Sequence, residues 1–335
     1  MNQDITISVV IPTFNASGLL KRSLDSIQRQ TILPAEVIVV DDGSVDNTYD
    51  FAQSHPIANL VNFKLLKKEN GGQATARNLG ILTATSKYIA LLDQDDEFHV
   101  NHIENLLNAA KLYPNTTLIF GAVERVFDSD ELAASESKLP NFRLIAQSHC
   151  EPTDKSKFKV LNKTLFQDLI KGNFINPSSS MFPRTLAGKI VLFDESLRYL
   201  EDRDLFVRLA IAGDFVFIDD IGCSIYRTGM NFSNKKKGII HAPYFVKVLA
   251  GFIDQNLFAN DSFERNLILD QLSSKVDDLL YFASHKDIKT TVSAIKTHRK
   301  WTAKKMPIYV YTKRLLYSIF STFRNSDEIL NEKLK

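Results

Sequence analysis

The sequence predicts an α/β protein: a mostly parallel β-sheet flanked by helices, followed by a helical C-terminal extension. Three observations predict it. Short apolar, β-branched runs alternate with stretches whose apolar residues recur at helical spacing. Turns close the early strands, three of them acidic or glycine-bearing: PTFN (12–15), then DDGS (41–44), NGG (70–72) and DQDDE (93–97). Beyond about residue 238 the strand signals stop and the reading is helical to the end.

The elements follow in order. ITISVVIPTF (5–14) reads as the first strand, and Leu19, Leu20, Ser23, Leu24 and Ile27 follow at helical spacing. EVIVV (36–40) and VNFKLLKK (61–68) are the next strands, Gln73 to Thr83 a helix, and YIALL (88–92) a fourth strand. Val100 to Tyr113 reads as a helix and TLIFGAVERVF (117–127) as a strand. Residues 128–160 are polar and aperiodic, an insertion or an acceptor-side loop. From Phe174 to Arg227 short apolar segments surround one helix, Arg203 to Ala212. In an open parallel sheet ligands bind outside the carboxyl ends of the strands, so four such turns on one edge describe a site.

Composition narrows the class. A chain of 335 residues with 44% hydrophobic and 24% charged residues supports a real core, and a net charge of +2 is too small to argue for nucleic acid. Cys150 and Cys223 fit neither a metal spacing nor a disulfide framework and read as buried residues in a reducing compartment. MNQDITISVVIPTFN lacks the basic segment and long apolar stretch of a signal peptide, and the apolar runs are strand-sized. The expectation is a cytoplasmic protein. From Ile288 to Ser326 there is no Asp or Glu, but nine Lys and Arg together with Trp301, Tyr309, Tyr311, Tyr317, Phe320 and Phe323. That segment reads as a solvated helical face, as a peripheral contact with an anionic membrane surface, or as a face packed on a partner subunit. The oligomeric state is not legible.

The turns carry the chemistry, each with a plainer alternative. YIALLDQDDEFH (88–99) sends a buried strand into Asp93, Asp95, Asp96 and Glu97, four carboxylates in five positions that repel one another. Asp93 and Asp95 suit a hard divalent cation, which takes carboxylate oxygens and fills its other positions with water or phosphate. Alternatively the turn is an acidic loop capping the helix near Val100, a role open above all to Asp96 and Glu97. Asp41-Asp42-Gly43-Ser44 offers a carboxylate to a base or ribose, or is a β-turn. Asn70-Gly71-Gly72 with Arg77 and Asn78 permits close backbone approach and a phosphate-pairing guanidinium, or is a helix N-terminal turn with a surface Arg. Glu201-Asp202 caps a helix or supplies a proton acceptor. Capping would keep the pKa low, whereas a base works best when tuned upward.

VVIPTFN (9–15), VIVVDDGSVDNT (37–48), NGGQATARNLG (70–80), YIALLDQDDEF (88–98) and FDESLRYLEDRDLFVRL (193–209), in that order and spacing, resemble the family 2 glycosyltransferases, inverting enzymes of the GT-A fold. The resemblance covers roughly residues 5–233. It implies a Rossmann-like sheet in a GT-A domain over 1–237, with a nucleotide-sugar half of about 1–125, an acceptor half of about 126–237, and a helical region over 238–335. By that resemblance Pro12, Thr13, Asp42, Gly72, Arg77, Asp93, Gln94 and Asp95 bind the nucleotide-sugar. Asp42 would face the base, Asp93 the ribose, and Asp95 the metal on the diphosphate. Asp202 matches the catalytic base, and Glu201, Arg227, Asn231 and Ser233 are expected contacts to acceptor or phosphate.

The resemblance further implies a divalent metal cofactor (Mg2+ or Mn2+), a UDP-sugar donor, and a glycan or lipid-linked acceptor in cell-surface polysaccharide biosynthesis, on the inner face of the cell membrane. Many relatives read Tyr-Arg-x-His after the last core strand. Tyr226-Arg227-Thr228-Gly229 lacks that metal-assisting His, leaving Asn231 or Ser233 for the phosphates. The Gln-x-x-Arg-Trp motif of processive synthases is absent, which favours transfer of one sugar at a time. Two alternatives stand beside this: a nucleotidyltransferase, whose basic glycine-rich N-terminal loop VVIPTFN does not match, and a non-catalytic nucleotide-sugar-binding subunit.

Overall fold

A computed structural model describes residues 5–136, 141–151, 156–227, 238–255, 257–260, 262–284, 288–301 and 311. The chain divides into two compact units, Met1–Asn231 and Phe232–Lys335. In the first, β1 (Ile7–Thr13), α1 (Leu20–Gln28), β2 (Glu36–Asp41), α2 (Thr48–Ser54), β3 (Asn62–Lys67), α3 (Gln73–Thr83) and β4 (Tyr88–Leu91) alternate. A short β5 (Glu97–Phe98) leads into α4 (His102–Leu112) and β6 (Leu118–Phe127). After α5 (Asp130–Glu136), α6 (Phe142–Ser148), β7 (Phe158–Val160) and α7 (Leu165–Lys171) comes β8 (Ser180–Pro183). A small hairpin, β9 (Thr185–Leu186) and β10 (Lys189–Ile190), precedes α8 (Glu201–Ala212) and β11 (Phe215–Arg227).

Among the described residues a nine-stranded sheet runs in the order β3-β2-β1-β4-β8-β6-β11-β5, with β7 also on β11. Strands β3, β2, β1 and β4 are parallel, in register through Val9↔Val37 and Val9↔Ala90. Strand β8 runs antiparallel between β4 and β6, and β6 pairs parallel with β11. Strand β1 lies in the middle of the parallel group, covered on both faces, so Ile7, Val9, Val10 and Ile11 are all buried. Leu20, Leu24 and Ile27 bring one stripe of α1 to the same core. Each such side chain contributes about 1.5–3 kcal/mol by leaving water. A Cβ at Gly80 would lie 2.5 Å from Val10 Cγ1, so α3 rests on β1 more closely than any larger residue would allow. Pro12 lies past Val10, the last β1 residue paired to β4, so its missing N–H costs no ladder bond there.

Four readings change. Residues 128–160 are not a plain loop: they form α5, α6 and β7, whose helices are too short to show a period and whose strand pairs with β11. The segments between Phe174 and Arg227 include β8 and the 13-residue β11, whose register shifts at Ile218/Ile221 and Ile221/Cys223 break its alternation. Neither Asp96 nor Glu97 caps α4, which starts at His102 behind Asn101. Glu201 and Asp202 do not cap α8 either: Leu200 holds the cap position in left-handed backbone (φ 65°).

In the second unit α9 (Gly238–Asp254) and α11 (Ile288–Trp301) each pack on α10 (Phe263–Ser284), with Leu280, Ala283 and Ala294 buried together. Helix α11 is two-sided. Thr291, Ala294 and His298 are buried, while Lys289, Val292, Lys296 and Lys300 are exposed. His298 joins Asp277 through Nε2 (2.7 Å) and the Tyr311 hydroxyl through Nδ1 (3.0 Å). Among the described residues no helix is long and apolar enough to cross a membrane. The rest of the basic, aromatic segment expected at a surface lies outside the described residues.

Candidate active site

The carboxyl edge of the parallel strands is cross-linked by the turns that the sequence singled out. At the end of β2, Asp42 accepts from Lys68 Nζ (2.6 Å) and from the backbone N–H groups of Gly71 (2.9 Å) and Gly72 (2.7 Å). Gly72 stands at φ 93°, a region that disfavours a side chain, and turns the chain into α3. Both Asp42 oxygens are thus engaged in holding the Asn70–Gly72 turn. Gln94 ties the ends of β1 and β4 together, its Oε1 accepting from Thr13 Oγ1 (3.0 Å) and Phe14 N (2.8 Å).

Helix α3 supplies the next contacts. Gln73 Nε2 (3.0 Å) and Arg77 Nη2 (2.7 Å) both donate to Asp93 Oδ1. Arg77 is only 1% exposed, and its Nη1 donates to Glu201 Oε1 (2.9 Å) across 124 residues of chain. Burial disfavours its charge, but Asp93 and Glu201 outweigh that and raise its pKa further. Arg77 is therefore a buried bridge between two carboxylates in this structure rather than a surface cation. Beside it Asn78 grips the Phe193–Glu195 turn: Oδ1 accepts from Phe193 N (2.8 Å), and Nδ2 donates to Phe193 O (3.0 Å) and Glu195 Oε1 (2.9 Å). Neighbouring residues of one helix thus fasten the segment leading to Asp202 against the strand edge.

The four crowded carboxylates separate by environment. Asp93, half-buried, lies in the Arg77 bridge, and its backbone N–H donates to Ser178 Oγ (3.0 Å). Asp96 is buried, accepting from Ser178 Oγ (2.5 Å) and Tyr226 N (3.4 Å); burial and then the charges of Asp93 and Asp95 hold its pKa well above the ordinary value. Glu97 accepts from Arg29 Nη2 and from the Tyr226 hydroxyl. Asp96 and Glu97 are structural ties, to β8's approach and to β11.

Asp95 differs: burial and then Asp93 push its pKa up to about 6, partly offset by Arg22 and Arg227. Arg22, not singled out from the sequence, stacks 3.5 Å from the Tyr226 ring and donates to the Asp95 carbonyl (3.1 Å). A part-buried carboxylate beside Asp93, whose pKa stays raised despite Arg22 and Arg227, is a hard oxygen donor that fits a divalent cation taking its remaining ligands from phosphate and water. Among the described residues no group of three or more His, Cys, Asp or Glu is arranged to hold a metal unaided.

At the start of α8, burial raises the pKa of Glu201 to about 7 and also raises that of Asp202. Asp202 accepts from Asn173 Nδ2 (2.8 Å) and from Arg203 N (2.8 Å), and part of its surface reaches solvent. The tension between a capping role and an upward-tuned base does not arise, because Asp202 is not the cap. Of the residues singled out from the sequence, hydrogen bonds join Thr13 to Gln94, Asp42 to Gly72, and Arg77 to both Asp93 and Glu201, while Pro12, Asp95 and Asp202 are chain neighbours of these. Arg227 acts on Asp95 electrostatically from the end of β11. Asn231 and Ser233 lie outside the described residues. Asn173, Ser178 and Arg22 carried no motif signal; their partners are 29, 82 and 73 residues away.

Residues 8–169 match the family model for glycosyl transferase family 2, a match that ends before Asp202. An uncharacterized glycosyltransferase of Rickettsia prowazekii is 31% identical over 215 residues, covering 64% of this chain and 62% of that protein. The chain therefore spans less than two thirds of that relative. Among solved structures, Staphylococcus aureus TarS 1–349 in complex with UDP-GlcNAc superposes at a TM-score of 0.54, with 17% identity, over 91% of this chain and 94% of that one. The mannosyltransferase PcManGT from Pyrobaculum calidifontis, in complex with GDP-Man and Mn2+, gives 0.53 and 18% identity over 97% and 88%. These two likenesses are of fold. Residues 8–169 are thus similar to glycosyl transferase family 2, and the strand order and these two likenesses give the chain a GT-A fold.

Proposed function

We propose that the protein is an inverting, non-processive glycosyltransferase. It would move one sugar from a nucleotide-diphosphate sugar, a UDP-sugar first, to a hydroxyl of a glycan or lipid-linked acceptor in cell-surface polysaccharide biosynthesis. The observation that carries this reading is the Arg77 bridge: it joins Asp93, at the donor strand edge, to Glu201, next to Asp202. A donor-binding edge and a half-buried carboxylate with a raised pKa thus belong to one bonded assembly.

In this reading Asp202 accepts the proton of the acceptor hydroxyl as its oxygen attacks the anomeric carbon. The C–O bond to the acceptor forms while the bond to the diphosphate breaks on the opposite face, so a single displacement inverts the centre and one carboxylate base suffices. A divalent cation, Mg2+ or Mn2+ at Asp95, would supply Lewis-acid neutralisation of the departing diphosphate. Thr13, Gln94 and the Asp42-held Gly71–Gly72 turn shape the nucleotide's binding edge, and Arg77 fixes Asp93 beside it. The UDP-GlcNAc carried by a structural neighbour supports a uridine donor; the GDP-Man of another keeps guanosine in the screen. We further propose residues 1–237 as the catalytic domain, a cytoplasmic location, and the exposed lysines of α11 as a contact with anionic membrane.

A thermal-shift screen of UDP- and GDP-sugars, with and without Mg2+ or Mn2+, tests the donor. Stabilisation by a nucleotide-sugar is expected, and it should weaken without metal and in Asp95→Ala. Asp202→Asn should abolish transfer while leaving donor binding nearly intact. A variant that transfers sugar at the parent rate removes Asp202 from the role.

A further inference from the structure

We infer that Asn173 is a positioning residue for Asp202, holding the carboxylate in the plane and charge state in which it receives a proton. The inference rests on Asp202 acting as the base.

The geometry is a closed ring of bonds between α7 and α8. Asn173 Oδ1 accepts from Ile175 N (3.1 Å), which fixes the amide so that Nδ2 faces Asp202 Oδ2 at 2.8 Å. The other carboxylate oxygen, Oδ1, accepts from the backbone N–H of Arg203 (2.8 Å). The Arg203 side chain, 1% exposed, closes the ring by donating to the carbonyls of Leu169 (3.0 Å, from Nε) and Ile170 (from Nη2) at the end of α7. Asn173 and Asp202 are therefore anchored to the same helix end, three residues apart in one direction and through a buried guanidinium in the other. An ionised carboxylate offers about four acceptor sites. One donor on each oxygen sets the orientation of the group and still leaves a site on each for a substrate hydroxyl.

Asn173 is half-buried and sits outside the matched family segment, and no motif marks it. Its amide carries no charge, so it orients Asp202 without neutralising it, unlike the cations nearby. The charged groups acting on Asp202 are Arg77 from α3, Asp93 from the end of β4, and Glu201 and Arg203 from α8 itself. Against burial, which favours the neutral acid, Asn173 is one of the donors that favours the ionised form.

Removing a hydrogen bond to a charged group should move the ionisation upward by about one pH unit. The test measures nucleotide release from UDP-GlcNAc, UDP-glucose and GDP-mannose, with water as acceptor, across pH in the full-length parent, Asp202→Asn, Asn173→Ala and Asn173→Asp. Asn173→Asp keeps the acceptor for Ile175 N–H but replaces the donor with a like charge. Both Asn173 variants should keep the parent's donor affinity and shift the acid limb of kcat upward, the Asp variant further. The Ala variant should lose about tenfold on that limb, a deficit that shrinks as pH rises. An acid limb unmoved in both variants while Asp202→Asn is inactive overturns the role of Asn173 alone, as does a loss equal at every pH. Asp202→Asn active at the parent rate overturns the base and with it this inference. A parent that releases nucleotide from none of the three donors overturns the proposed function itself.

Discussion

Arg77 is the residue on which the two sides of the site depend. Its guanidinium is buried and forks between Asp93 and Glu201, so replacing it with an apolar residue leaves two carboxylates facing low-dielectric surroundings without their shared cation. Arg77→Leu should cost about 3–5 kcal/mol in urea unfolding, since removing one partner of a buried pair is far more damaging than never having built it. A loss below about 1 kcal/mol would mean that the bridge is not formed in solution. The motif was legible in the sequence as a guanidinium near phosphate. Its engagement with Glu201 was not, because the partner lies 124 residues away and no local spacing records it.

At the scale of elements, β1, β2 and β4 were readable because both of their faces are covered, which writes each as a nearly continuous apolar run, whereas β3, at the sheet edge and half-exposed, mixes Phe63, Leu65 and Leu66 with lysines. Strand β8 was not. Ser178, Ser179 and Ser180 are fully buried, yet their hydroxyls are satisfied by Asp96, by Asn176 O and by Pro177 O, so a buried strand entry looks like a polar loop. The same holds for the attachment of the turn before α8, where the Asn78 amide alone bonds both backbone groups of Phe193. Asn78→Ala would strand the N–H and C=O of Phe193 inside the fold, at a cost of about 2–3 kcal/mol. The expected readout is a lowered Tm together with faster proteolysis between residues 190 and 200, and unchanged proteolysis would argue that the turn is held by other contacts.

Across the whole molecule the charges set opposing pH responses. Glu201, raised to about 7 from 4.5, keeps a proton in the folded state that the unfolded chain has already released, so its stabilising contribution is full below about 4.5 and is lost as pH rises through about 7. Glu36 runs the other way. Burial raises its pKa, but hydrogen bonds led by those from Lys64, Ser8 and Thr85 outweigh burial and lower it to about 2. Its contribution is present above about 4.5 and is lost as pH falls towards 2. The ligand-free protein should therefore melt at lower temperature at about pH 8 than at about pH 5. Glu201→Gln should flatten that slope, whereas Glu36→Gln should flatten the decline below about pH 4. Differential scanning fluorimetry over this range reads both; slopes unchanged by either substitution would assign the pH response to other groups.

Arg77 and Asn78 are adjacent, and each grips the segment between Phe193 and Glu201. That adjacency bears on modular exchange. A chimera that joined the first part of this chain to the acceptor part of a relative, cut anywhere between β6 and β8, would inherit a helix whose two grips were shaped for a different turn. Exchange should succeed only when residues 77–78 and 193–202 travel as one unit, so the inheritable module here is a pair of segments distant in sequence rather than a continuous half of the chain.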